Sequence, residues 1–212
     1  MMKFAPAPRP RGWQTHVLKK GRKWLAVPGN RAKDRPLDYW SAYRKALKKG
    51  FRDLCGYTAM WAPVGTTDHY IPWAEVRGTP QAHLAYQWDN VRYSVDWFNR
   101  DRKATPVPDP YKVGDDWFEL LLPSLELVAT ANVPAAELPK VQAALYWLGK
   151  HDNVMSARET YWIEYRTLDG SGNPNLSFEA LERRAPLIAR ALRKNPTFLH
   201  PQDQARLQAG TL

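Results

Sequence analysis

Thr67-Asp68-His69-Tyr70-Ile71-Pro72 is the stretch on which the reading of this chain turns. It sets a carboxylate beside an imidazole. Two further pieces follow, Trp88-Asp89-Asn90-Val91 and then Phe98-Asn99-Arg100-Asp101-Arg102-Lys103. Hydrolysis of a phosphodiester needs a positioned water, a base to deprotonate it and positive charge on the leaving oxygen. A single Mg²⁺ held by a carboxylate, an amide oxygen and waters supplies the charge. A histidine beside it supplies the base. The chain offers these groups within a span of 32 residues, Asp68 to Asn99. Taken singly, each piece has a blander reading: a surface polar pair at Asp68-His69, a turn at Asp89-Asn90, a capping residue at Asn99. Their order, spacing and flanking context together carry the reading. No Walker-type phosphate loop and no Gly-x-Ser-x-Gly elbow competes with it.

Alternation along a strand points Asp68 and His69 to opposite sides, so a bend at the strand end is needed to bring both to one ion. The order and spacing of these pieces resemble the HNH (His-Me finger) endonucleases, whose strand reads Asp-His-x-x-Pro. The resemblance implies that bend. It implies that His69 is the general base, that Asp68 and Asn99 bind Mg²⁺ or Mn²⁺, and that Asn90 ties the connecting loop and orients the base. Asn99 would act from a short helix that Asp96 starts. The family's lysine shortly after this asparagine is replaced by Arg102 or Lys103. The expected nucleic-acid contacts are Arg92, Arg100, Arg102 and Lys103 around the finger, with Lys45, Lys48 and Lys49 from the helix before it. Those last lysines also have a structural reason to exist, since cations suit a final helical turn.

The resemblance extends to Tyr39-Trp40-x-x-Tyr43-Arg44, Phe51-x-x-Leu54-Cys55-Gly56-Tyr57, Leu84–Asn99 and Leu121-Leu122-Pro123. These look like the nuclease subunit of Septu-type anti-phage systems and the related retron-associated nucleases. It covers roughly residues 37–125. It implies a defence effector acting on nucleic acid, DNA foremost, with an ATPase subunit as partner. The chain departs from the family at the structural zinc, which many relatives hold with two Cys-x-x-Cys pairs. Here Cys55 is followed by Thr58, and Val95 and Phe98 stand where the second pair would be. One thiolate cannot close a tetrahedral zinc site, so no structural zinc is expected. Leu54, Tyr57, Met60, Trp61, Val95, Trp97 and Phe98 are the candidates for an apolar plug replacing it, with Val95 and Phe98 packing near Cys55.

The 212 residues carry a formal charge of +10 and a single cysteine. Residues 1–36 hold ten Lys and Arg against Asp34 alone, so the remainder is nearly neutral. A basic arm on a balanced body points to a polyanion partner, or serves as a solvated tail. A membrane surface is a poorer match, because no clean amphipathic helix is read in the arm. No apolar run of about 18 residues exists, so no membrane span is expected. The start has no hydrophobic leader, and a lone cysteine fits a reducing cytoplasm.

Pro, Gly and basic residues scattered through 1–36 predict an irregular arm with short extended pieces at Trp13–Leu18 and Trp24–Val27. Asp38 reads as an N-cap and Gly50 as the residue just past a helix end. Residues 104–116 read as a loop. Periodicity cannot decide between strand and helix at Trp117–Leu122 and Leu125–Thr130. Helices are predicted from Pro134 to Gly149, over Met155–Leu168, and after Ser177 with a restart at Pro186. The last dozen residues read as a polar tail. The ten tryptophans are core or partner surface, some near the finger available to stack on bases. His16, His83, His151 and His200 lack partners at metal-ligand spacing. The expectation is an α+β protein, mostly helical, with an embedded ββα-metal finger. Its parts are a basic arm (1–36), a finger domain with lead-in helix (37–125) and a helical region (126–212). The competing expectation is an HNH-like module without catalysis, kept to bind nucleic acid or assemble a complex.

Overall fold

Trp13, Val17, Gly21 and Trp24 recur at helical spacing, and all four are buried. They form the inner face of a continuous helix, a π-helical turn at Gln14–Lys19 running into α1 (Lys20–Ala26). This corrects the extended pieces expected in the arm. Burying one apolar stripe stabilises a helix more than scattered Gly and Pro disfavour it. The structure, a computed structural model, describes residues 1–102 and 105–212. They form two compact units. One comprises Phe4–Gly56 and Ala62–Thr105, the other Met1–Lys3, Tyr57–Trp61 and Pro106–Leu212. The basic segment therefore belongs to the body of the first unit, and residues 106–125 group with the helical region.

In the first unit, the Asp38 carboxylate accepts hydrogen bonds from the Trp40 and Ser41 N–H groups at 3.1 and 2.9 Å. It caps a 3-10 turn (Ser41–Tyr43) that leads into α2 (Arg44–Gly50). Gly50 is the last residue of α2 and not the one beyond it. A Cβ there would stand 2.3 Å from Ala7 Cβ, so close approach of the chain explains the glycine. β1 (Thr66–His69) pairs antiparallel with β2 (Val91–Ser94), matching Asp68 with Arg92 and His69 with Val91. The connection between them holds α3 (Trp73–Val76) and 3-10 turns at Pro80–Tyr86 and Trp88–Asn90. α4 (Asp96–Arg102) follows β2 at once and lies against β1. The order is strand, long connection, strand, helix.

In the second unit, the segments left open by periodicity are strands. β3 (Phe118–Leu120) pairs antiparallel with β4 (Leu127–Ala129). The helices are α5 (Leu138–Leu145), continued by a π turn at Tyr146–Lys150, then α6 (Asp152–Arg166), α7 (Phe178–Arg184), α8 (Pro186–Lys194) and α9 (Pro201–Gln208). Ser177 caps α7 by accepting from the Ala180 N–H, and Pro186 restarts the chain as α8. The polar tail is α9 instead. Its buried Asp203 accepts a hydrogen bond from the Tyr165 hydroxyl at 2.9 Å, and Arg206 pairs with Glu179. A polar helix is held here by side-chain bonds that composition does not reveal. The protein is α+β and rich in helix.

Candidate functional site

His69 is the last residue of β1, and the chain bends directly after it at Tyr70–Ile71. Its Nε2 donates to the Ala85 carbonyl at 2.8 Å, since a carbonyl oxygen can only accept. That bond fixes the tautomer and leaves Nδ1 as the ring's acceptor. Burial is the largest influence on this ring and pulls its pKa below the ordinary 6.5, against smaller raising effects from the Ala85 bond, Asp68 and Asp38. The imidazole is thus neutral at physiological pH and able to take a proton at Nδ1. Trp40 stands edge-on to it with ring centres 4.5 Å apart.

Asn90, at the end of its 3-10 turn, ties both ends of the connection. Its Oδ1 accepts from the Ile71 N–H at 2.8 Å, and its Nδ2 donates to the Ile71 and Leu84 carbonyls at 3.1 Å each. Ile71 lies two residues after His69, and Leu84 lies one before Ala85. One side chain therefore holds the bend and the segment that carries the histidine's carbonyl partner. Behind that segment sits a packed aromatic cluster. Tyr86 meets Trp24, Tyr39 and Trp40 at ring separations of 5.9–6.3 Å, and Trp13 donates its Nε1–H to the Tyr86 carbonyl. Trp88 packs on Trp13 at 4.8 Å and donates to the Ala7 carbonyl.

Asp68 is buried on β1, and Asn99 is half-buried on α4, which lies against that strand. One carboxylate and one amide oxygen suit Mg²⁺ or Mn²⁺, hard ions that keep several waters. They do not suit zinc. Among the described residues no three His, Cys, Asp or Glu side chains gather as a metal-ligand group. Cys55 is buried, with Sγ 3.9 Å from the Ser94 hydroxyl. Phe98 is buried and Val95 half-buried, whereas Trp61 is 41 % exposed with the Arg184 guanidinium over its ring. Trp61 is therefore no part of an apolar plug.

The expected phosphate contacts divide sharply. Arg92 is 2 % exposed and donates through Nη1 to the Asp89 and Val91 carbonyls, each at 2.8 Å, so it props the strand and does not face solvent. Its place opposite Asp68, on an inward face of the hairpin, is the physical reason. Lys48 donates to the Pro63 carbonyl at 2.7 Å and lies 3.7 Å from Asp53. Arg100 is exposed but held by Asp101 at 2.9 Å and Asp96 at 3.7 Å. Lys45 and Lys49 are exposed on α2. Arg102 ends α4, and Lys103 lies outside the described residues.

Comparison of the chain with family models, curated proteins and solved structures gave no match. Sequence reasoning missed the aromatic support of the site. The repeat of Trp13, Val17, Gly21 and Trp24 was its available signal. It also missed Ala85, for which no side-chain signal exists because the partner is a backbone carbonyl.

Proposed function

We propose that the chain is a metal-dependent endonuclease of HNH type that hydrolyses phosphodiester bonds of nucleic acid, with DNA as the first substrate to test. One observation carries the reading. A neutral histidine, its Nε2–H fixed on a carbonyl, sits at a strand end whose following bend is clamped by an asparagine. His69 Nδ1 takes the proton of the attacking water. Asn90 keeps the bend and the Ala85 carbonyl in register so that the ring cannot turn. Asp68 and Asn99 would hold Mg²⁺, which when bound supplies positive charge for the leaving oxygen. The strand–connection–strand–helix order is the frame that a ββα-metal finger needs.

A plasmid-nicking assay with Mg²⁺ or Mn²⁺ tests this. Wild type is expected to cleave, and His69→Ala to lose at least about 100-fold in rate. Cleavage by His69→Ala at the wild-type rate removes the assigned base. Activity of neither protein on DNA or RNA, with any metal, removes the reading.

A second reading, an HNH-like module without catalysis, is favoured by one observation. Asp68 is only 4 % exposed and stands across the hairpin from the buried Arg92 guanidinium. Metal binding at Asp68 must compete with that neighbour. Isothermal titration with Mn²⁺ separates the two, the first expecting binding that Asp68→Ala and Asn99→Ala both abolish.

The resemblance further supports a cytoplasmic effector of anti-phage defence with an ATPase partner. No helix among the described residues is long and apolar enough to cross a membrane. Exposed Tyr146 and Ile163, beside and on α6, are apolar groups that such a partner would cover. Co-purification with a neighbouring ATPase that is lost in Tyr146→Glu/Ile163→Glu is the expected outcome.

A further inference from the structure

Several cations of the unit that holds His69 are committed: Arg77 to Asp34, Arg92 inside the fold, Lys48 and Arg100 to carboxylates or a carbonyl. The helix Gln14–Ala26 is different. Lys19, Arg22 and Lys23 stand at successive helical positions on its exposed face, and among the described residues no carboxylate pairs with them. Lys20, beside them, lies with Nζ 5.9 Å from the Tyr39 ring centre. The opposite face is locked down. A Cβ on Gly21 would come within 2.2 Å of the Tyr86 ring, so helix and connection touch without a gap.

We propose that this outer face is a docking surface for the sugar-phosphate backbone of a nucleic-acid duplex, read without regard to sequence. Charge complementarity supplies the partner: four adjacent cations on a rigid helix match a polyanion whose phosphates repeat along a regular path. The helix itself bears no exposed tryptophan or tyrosine, and this favours the duplex. Single-strand binders lay bases on exposed rings. Here Trp13, Trp24, Trp73 and Trp88 are each at most 9 % exposed, turned inward beneath the basic face. Trp40 beside His69 and Trp97 on α4 are only half-buried, and they belong to the finger and not to this helix.

The surface is also joined to the site. Lys20 meets Tyr39, Tyr39 meets Tyr86, Tyr86 meets Trp40 and Trp40 meets His69, with no link longer than 5.9 Å. The path is shorter than one duplex turn of about 34 Å. The outer face and His69 are thus separated by less than one duplex turn, through the aromatic cluster. The surface holds whether or not His69 cleaves.

Fluorescence anisotropy against salt tests it, in a His69→Ala background so that no cleavage intervenes. The ligands are a 20-base-pair DNA duplex, the same duplex as RNA, and a single strand of equal length. The triple variant Lys19→Gln/Arg22→Gln/Lys23→Gln is expected to flatten the slope of log affinity on log salt by about 2–3 and to weaken duplex binding roughly tenfold or more. The single strand should bind more weakly than the duplex, and the two duplex arms tell DNA from RNA. Arg22→Gln alone, with helicity checked by circular dichroism, should flatten the slope by about 0.9 should the triple variant unfold. An unchanged slope in both variants overturns the proposal. So does preference for the single strand, or binding to phosphatidylserine vesicles with none to duplex. Nicking by wild type is scored separately, so failure of the chemistry and failure of the surface are distinct results.

Discussion

At the scale of single residues, Asn90 and His69 divide their labour. The asparagine commits its Oδ1 and both Nδ2 protons to backbone groups at Ile71 and Leu84. Asn90→Ala strands one partly buried N–H, of Ile71, and two carbonyls, of Ile71 and Leu84, and is expected to cost about 2–3 kcal/mol. Urea denaturation measures it, and a loss under about 0.5 kcal/mol would mean the clamp is dispensable. Arg92 offers a second check. Because its guanidinium is inside the fold, Arg92→Gln should lower stability while leaving the salt slope of duplex binding where it was. A flattened slope would put Arg92 back among the phosphate contacts. Metal analysis of purified protein should find no stoichiometric zinc, since Cys55 has no thiolate company. The order of Asp68, His69, Asn90 and Asn99 was readable from the chain because each is a distinctive side chain in a distinctive context. The burial of Arg92 was not, since alternation leaves one face of a hairpin strand open to solvent, whereas all four residues of β2 are buried.

At the scale of elements, the helix Gln14–Ala26 is the main departure from what the sequence allowed one to read. Gly12, Gly21 and the early prolines argue locally against a helix, and the lysines between the apolar positions blur the stripe. Tertiary packing decides the matter: Gly21 is needed for contact with Tyr86 and does not mark a break. Gly21→Ala is therefore expected to destabilise by about 1–3 kcal/mol, although alanine is the better helix former. A midpoint shifted upward in denaturant would show that the contact with Tyr86 is loose. β3 and β4 illustrate a different limit. Segments this short carry no usable period, and only their pairing, Phe118 with Ala129 and Leu120 with Leu127, makes them strands. Ser177 and Pro186, by contrast, act through the backbone beside them, and both behaved as their chemistry dictates.

At the scale of the whole molecule, charge and core are interleaved. The segment carrying most of the net charge also contributes Phe4, Trp13, Val17, Trp24 and Leu25 to the interior of the unit that holds His69. A basic tail could be trimmed without structural penalty. Here, deletion of residues 4–26 should abolish the cooperative unfolding of that unit, seen as loss of near-ultraviolet circular dichroism from the tryptophan cluster. A deletion that unfolds with the wild-type midpoint would return the segment to the status of an appendage. The same interleaving has a calorimetric consequence. Any polyanion that settles on Lys19, Arg22 and Lys23 binds the folded helix alone, so mass action must raise the melting temperature of the unit. The gain is about 2.7 kcal/mol at a hundredfold excess over Kd. Heparin, which no nuclease cleaves, should produce that shift. The helix that packs on Tyr86 then becomes a thermometer for occupancy of its own outer face.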